Sequence, residues 1–192
     1  MYYNPFCKYV FTEVIPKMKK TMRCISVISV FLTIISIFLY CFWEVAVAKS
    51  FAITFGTTAY HFLMRLTVGV AFNLFMKNRA DYTGGWYQCR NWETKLYKWL
   101  RVKQWKSKLP SYQADYFDPK KHSWHEIAQA MCQAELVHEV IIVLSFVPIL
   151  LSCWFGEFLV FLITSLGAAS FYMLFVMIQR YNRPRILKLI NR

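Results

Sequence analysis

Residues Ile25–Trp43 read ISVISVFLTIISIFLYCFW, without a single charge. Crossing the hydrocarbon core takes about 20 predominantly apolar residues, so this run is a membrane-spanning helix by length and composition. Tyr40, Phe42 and Trp43 close it with an aromatic cluster of the kind that sits at a membrane–water interface. The triplet Ala46-Val47-Ala48 that follows resembles a signal-peptidase site. The apolar run is too long, and starts too far from the N-terminus, for a cleaved leader.

Three further apolar runs follow: Ser50–Met76, interrupted by His61 and Arg65; Ala128–Phe155, densest from Val140; and Phe158–Ile178. Only Gly156 and Glu157 separate the last two, which predicts a tight helical hairpin, and a second hairpin is expected around Lys49. The reading is an all-α, single-domain integral membrane protein over 1–192. It is a four-helix bundle of two hairpins, with approximate spans 25–47, 51–76, 130–154 and 157–179. Composition agrees: the chain is 57% hydrophobic yet carries a formal charge of +13. Both properties fit one chain if apolar residues face lipid and basic ones face anionic headgroups. No nucleic-acid-binding motif is present, so nucleic acid is not an expected partner.

The basic residues fix an expected orientation. Of the 23 Lys and Arg, five precede Ile25, eleven lie between Lys77 and Lys121, and five follow Gln179; Lys49 and Arg65 are the other two. By the positive-inside rule both termini and the long connection 77–127 are cytoplasmic, in a multi-pass protein of the cell membrane. Pro110, Asp118-Pro119 and Gly84-Gly85 mark turns in that connection. Within it, Glu93–Lys108 interleaves Tyr97, Trp99 and Trp105 with Lys98, Arg101, Lys103 and Lys106, and reads as an interfacial helix whose basic stems reach toward headgroups.

Ionisable groups inside apolar runs are the first candidates for chemistry, because charge at membrane depth is costly. His61 and Arg65 stand four apart, on one helical face. Arg65 lies eleven residues before Met76, so at about 1.5 Å per residue it is expected roughly 16 Å along the helix. There it would meet an anionic ligand or one of the acids Glu44, Glu135 and Glu139. The second constellation is Ala134-Glu135-Leu136-Val137-His138-Glu139. An imidazole that takes a hydroxyl proton, with a carboxylate to fix its tautomer, is what general-base chemistry needs, although helical neighbours at this spacing also arise from packing alone. Glu-x-x-His occurs as well in di-iron bundles, but those need the motif twice with two more Glu, and this chain has four His in all, so no metal is expected. The third constellation is Gln179-Arg180-Tyr181-Asn182-Arg183-Pro184-Arg185, whose guanidinium groups suit phosphate or anchor the helix at anionic lipid. The six Cys form no C-x-x-C pair and read as reduced, structural thiols.

Three blocks in this order — Lys103-Gln104-Trp105-Lys106-Ser107-Lys108-Leu109-Pro110, Ala134-Glu135-Leu136-Val137-His138 and Gln179 to Arg185 — resemble the glycosyl-diaponeurosporenoate acyltransferase family. These are small bacterial membrane proteins named for a carotenoid-pathway enzyme that esterifies a sugar hydroxyl with a fatty acid. The resemblance spans roughly Trp92 to Arg192. It implies transfer of a fatty acyl group to a hydroxyl of a membrane glycolipid or glycosylated isoprenoid. No bound cofactor is expected, and acyl-coenzyme A or an acyl carrier protein would be co-substrate. His138 would be the base and Glu135 its orienting acid; Arg65 and His61 would stabilise the oxyanion or hold the acceptor. Arg180, Arg183 and Arg185, with Asn182, Lys103, Trp105, Lys106 and Glu139, would bind substrate. This mechanism requires Arg65 and His138 to reach one cavity. The other readings are a small lipid-modifying methyltransferase or reductase, and a non-catalytic membrane partner protein in which the ionisable cluster is packed shut.

Overall fold

The computed structural model describes residues 15–106, 109 and 114–191. Ser107, Lys108, Pro110 and Arg192, named above, lie outside the described residues, as do Cys7 and Lys8 of the cysteine and basic-residue counts. The described chain is helical and contains no strand: α1 (Ile15–Trp43), α2 (Ala46–Phe75), α3 (Asn91–Trp99), α4 (Val102–Trp105), α5 (Trp124–Leu144), α6 (Val147–Phe155) and α7 (Phe158–Ile190). Short 3-10 turns fall at Gly85–Tyr87 and Ala114–Phe117. Among the described residues three stretches are long and apolar enough to cross a membrane: Lys20–Trp43, Trp124–Phe155 and Phe158–Ile190. They present large apolar side chains outward, such as Phe31 at 62%, Leu150 at 63% and Ile163 at 67% exposure. Outward-facing apolar surface on this scale is what a lipid solvent leaves in place. Helix α2 has 30 residues, ample length, carries Lys49, His61 and Arg65 within its sequence, and is not among these three stretches.

The first hairpin turns at Glu44–Val45 rather than around Lys49, which lies inside α2. Glu44 takes the left-handed backbone (φ 52) that reverses the chain. The seam between α1 and α2 is built from small residues. Ser26, Ser29 and Ser36 are buried along one face of α1, and Thr33, on the same face, has its Cγ2 3.5 Å from where a Cβ on Gly56 would stand. Small residues let two backbones approach where lipid supplies no hydrophobic drive between helices. The hydroxyls stay satisfied by bonding to their own helix, as Ser26 does to the Met22 carbonyl and Thr33 to the Ser29 carbonyl.

The expected third span is interrupted: α5 ends at Leu144 and α6 begins at Val147, with Pro148 in its first turn. A proline has no amide hydrogen and its ring clashes with the carbonyl four residues earlier, here that of Leu144. The Tyr60 hydroxyl of α2 donates to that freed carbonyl at 2.8 Å. An unpaired carbonyl in lipid is costly, so the break and the tyrosine belong together, and they tie α2 to α5. The second hairpin turns at Gly156, whose φ of +70 and ψ of −145 suit glycine alone, followed by left-handed Glu157. At the other end α5 starts on a capping box, with Ser123 and Glu126 satisfying each other's backbone N–H groups. Where α2, α5 and α7 meet, Met64, Val68, Ile141, Tyr172 and Phe175 form the buried core.

The expected interfacial helix over Glu93–Lys108 is also two pieces. Arg101 adopts a left-handed conformation (φ 51) that ends α3 and restarts the chain as the single turn α4. Helix α3 does not lie free: it buries Glu93 and Tyr97 against the bundle and exposes Trp92 and Trp99 on its other side.

Candidate functional site

Two neighbouring but distinct constructions occupy the end of the bundle where the charges gather. The first is an ion-pair network. Arg180 of α7 grips Glu93 of α3 with two parallel bonds of 2.8 Å, reaches the Glu135 carboxylate of α5 at 2.5 Å, and donates to the carbonyls of Trp86 (3.0 Å) and Gln88 (3.2 Å). These five contacts draw on every guanidinium nitrogen it has. Arg183, one turn on, donates to the other oxygen of Glu135 and to the Tyr87 carbonyl at 2.6 Å. Glu135 is fully buried and Arg183 is 1% exposed. Tyr97 adds a hydroxyl bond to Glu93 at 3.0 Å. Burial pushes the Glu93 carboxyl up, but the Arg180 bonds and charge, with Tyr97, outweigh it and hold Glu93 below its ordinary value. Two cations and two carboxylates thus neutralise one another and fasten α3, α5 and α7 together.

This network overturns one expected pairing. Glu135 does not hold His138: both of its oxygens are committed to arginines, and the His138 Nδ1 is buried without a hydrogen-bond partner. Positions three apart on a helix differ by about 60° in direction, enough for one side chain to face α7 and α3 and the other to face α2. Arg180 and Arg183 are likewise paired off, and neither lines the cavity described next. Glu139 accepts a bond from Trp86 Nε1 at 3.1 Å, and Trp105 Nε1 donates to the Leu100 carbonyl at 3.0 Å; both stand outside that cavity too.

The second construction is a cavity of about 640 Å³ between α2, α5 and α7. Each helix contributes one stripe at helical spacing: Arg65, Leu66, Gly69, Val70 and Asn73 from α2; Ala130, Ala134, Val137, His138 and Ile141 from α5; Phe175, Ile178, Gln179, Asn182 and Ile186 from α7. From Phe175 to Ile186 the stripe runs eleven residues, about 16 Å. Arg23 of α1, Lys106, Leu109, Tyr116 and Phe117 also line it, with Asn78, Ile127, Met131 and Gln133. Arg65 and His138 therefore do share one cavity. Tyr172 lies beside both: the Arg65 guanidinium stands 5.5 Å from its ring centre, and the His138 ring stacks on it at 6.1 Å and on Phe175 at 5.0 Å. His61 stays outside the cavity, edge-on to Tyr60, with both ring nitrogens buried and unpartnered.

Of the expected substrate-binding residues, Arg185, Asn182 and Lys106 line this cavity. Lys106 Nζ donates to Asn182 Oδ1 at 2.5 Å and lies 5.1 Å from the Tyr181 ring centre, while Arg185 stacks on the same ring at 4.3 Å. Among the described residues no three His, Cys, Asp or Glu gather to hold a metal. The described Cys side chains, including buried Cys132, are free thiols. Sequence reasoning missed Glu93 as the partner of Arg180, and Arg23 and Tyr172 as neighbours of the cavity.

No curated protein and no solved structure matches the chain. A family model does, over residues 83–192, more than half of the chain. The matched part contains α3 to α7, hence the whole ion-pair network and the α5 and α7 walls of the cavity, and leaves out Arg65 and the rest of α2. With that match the chain belongs to the glycosyl-4,4'-diaponeurosporenoate acyltransferase family, and is by family an acyltransferase.

Proposed function

We propose that this protein spans the membrane four times with both termini in the cytoplasm, and transfers a fatty acyl group to the hydroxyl of an amphiphilic, glycosylated acceptor. The observation that carries the reading is the convergence of His138 and Arg65 on one cavity at the charged end of the apolar helices. A non-catalytic partner protein would have these groups packed shut, and an open cavity of about 640 Å³ beside them argues against that.

Position supports it. Counting from the hairpin turn, Arg23 on α1 and Leu66 on α2 stand at one level, as Thr33 and Gly56 do. Arg23 is 20 residues from Trp43, about 30 Å, which is about one hydrocarbon thickness. Arg65, Tyr172 and His138 share that level through their ring contacts. Arg65 therefore belongs at the membrane boundary rather than deep within the bilayer, and α2 continues ten residues past it. A membrane-bound acceptor and a water-soluble donor meet at such a boundary.

The acceptor hydroxyl gives its proton to a His138 ring nitrogen as its oxygen attacks the acyl carbonyl carbon of a thioester donor. Charge that develops on the carbonyl oxygen lies near the Arg65 guanidinium. The carbon–sulfur bond then breaks, and the leaving thiolate takes up the proton that His138 holds. Glu135, with Arg180 and Arg183, holds α5 and α7 in place and takes no part in proton transfer. The test is a comparison of lipid extracts from the native host lacking this chain and from the same host with it restored. Restoration is expected to bring back a lipid heavier than its precursor by one fatty acyl group less water. Identical lipid profiles in the two strains remove the reading.

A further inference from the structure

The cavity wall is electrically one-sided. Four cationic side chains line it, Arg23, Arg65, Lys106 and Arg185, and among the described residues no carboxylate does. The carboxylates beside the lining residues in the sequence bond elsewhere: Glu135 with Arg180 and Arg183, Glu139 with Trp86, Asp115 with Lys121, Asp118 with the Lys120 backbone N–H and Glu126 with that of Ser123. Helix geometry divides the arginines of α7. Arg180 and Arg183, three apart, point to the acids, whereas Arg185, five from Arg180 and so about 140° around the helix, points to the cavity.

Two of these cations are held together on purpose-shaped supports. Tyr181 carries Lys106 and Arg185 on its ring, and its hydroxyl accepts a bond from Arg185 at 2.6 Å. Asn182 fixes the Lys106 ammonium from the other side. Burial, followed by the charges of Arg185 and Lys103, lowers the Lys106 pKa. Like charges kept close without a protein carboxylate are stabilised by an anion arriving from outside.

We propose that the cavity is a phosphate site, in which Arg23, Lys106 and Arg185 grip the phosphate of a ligand whose other end lies toward Arg65 and His138. Two sources share this chemistry: the phosphates of coenzyme A in the cytosol, and the phosphate of a lipid headgroup in the bilayer. The inference rests on the proposed transfer only for its placing of this cavity at the membrane boundary. Binding without turnover tests it separately.

The experiment uses the full chain in micelles of a maltoside detergent, whose headgroup carries no phosphate. Thermal unfolding is followed with coenzyme A added, and in parallel micelles that contain phosphatidylglycerol. A rise in Tm with coenzyme A assigns the soluble source, and a rise with phosphatidylglycerol alone assigns the lipid source. In either case Arg23→Gln and Arg185→Gln are expected to weaken the apparent affinity about tenfold or more, while Lys95→Gln, on the exposed side of α3, leaves it unchanged. The proposal is overturned if neither probe raises Tm, or if both cavity variants respond as the wild type does. His138→Phe, which abolishes transfer under the proposed function, is expected to keep the full response, so the two readings fail separately.

Discussion

Glu135→Gln is expected to cost about 3–5 kcal/mol of stability, because it leaves buried Arg183 without its counter-charge and takes from Arg180 one of its two carboxylate partners, Glu93 being the other. The carboxylate has no exposure, and both of its oxygens are engaged. An amide keeps the shape, loses the charge and turns its NH2 group toward guanidinium donors. The loss is read as a lower Tm in detergent and a smaller yield of monodisperse protein. Removing one cation as well, in Glu135→Gln/Arg183→Met, is expected to recover part of it, since an unpaired buried charge is worse than no pair. Acid acts on the same network. With its pKa lowered in the folded chain, Glu93 contributes stability that is complete above the ordinary carboxylate value near 4.5 and is lost as pH falls through the lowered one. A Glu135→Gln protein as stable as the wild type would return this residue to the chemistry and contradict a structural role.

His138→Phe is expected to behave in the opposite way, keeping the fold and losing the reaction. The phenyl ring preserves the stacking on Phe175 and Tyr172, and no hydrogen bond is lost at Nδ1. Removing a general base typically slows the chemical step by about 10²–10⁴-fold. The loss belongs in kcat, with donor affinity nearly unchanged, since the cationic wall is intact. A variant that transfers at the wild-type rate excludes His138 as the base.

Much of the architecture could be read before any coordinates, because lipid imposes a simple demand: about 20 residues without charge for each crossing. The runs that begin at Ile25, Val140 and Phe158 meet it on inspection. The helix boundaries did not follow from hydropathy, because single residues set them. Glu44 and Arg101 reverse or restart the chain through left-handed backbone, and Pro148 breaks a run whose hydropathy is continuous.

The site was legible in its residue types and much less in its pairings. Local spacing suggested Glu135 with His138 and His61 with Arg65, yet in each pair only one member faces the cavity. A spacing of three or four places side chains on one side of a helix without choosing which neighbouring helix each will meet. Glu93 with Arg180, 87 residues apart, lies beyond any periodicity. A weaker signal was present: Glu93 is the sole carboxylate between Gln88 and Ala114, in a stretch otherwise rich in Lys and Arg. A lone acid in such company is a candidate for a buried partner. The arginine-rich block concealed a division of labour that only the direction of each side chain reveals, with Arg180 and Arg183 inward to acids and Arg185 toward the cavity.

Where the acyl group sits can be measured directly with a fatty acid that carries a photoreactive diazirine, fed to cells that make this chain, crosslinked by light and mapped by peptide mass spectrometry. Label is expected on the cavity stripes, Arg65–Asn73 of α2 and Ala130–Ile141 of α5, and is expected to fall when unlabelled fatty acid competes. Competable label found only at the opposite end of the bundle, around Trp43 and Trp154, would contradict an acyl-transfer site in this cavity.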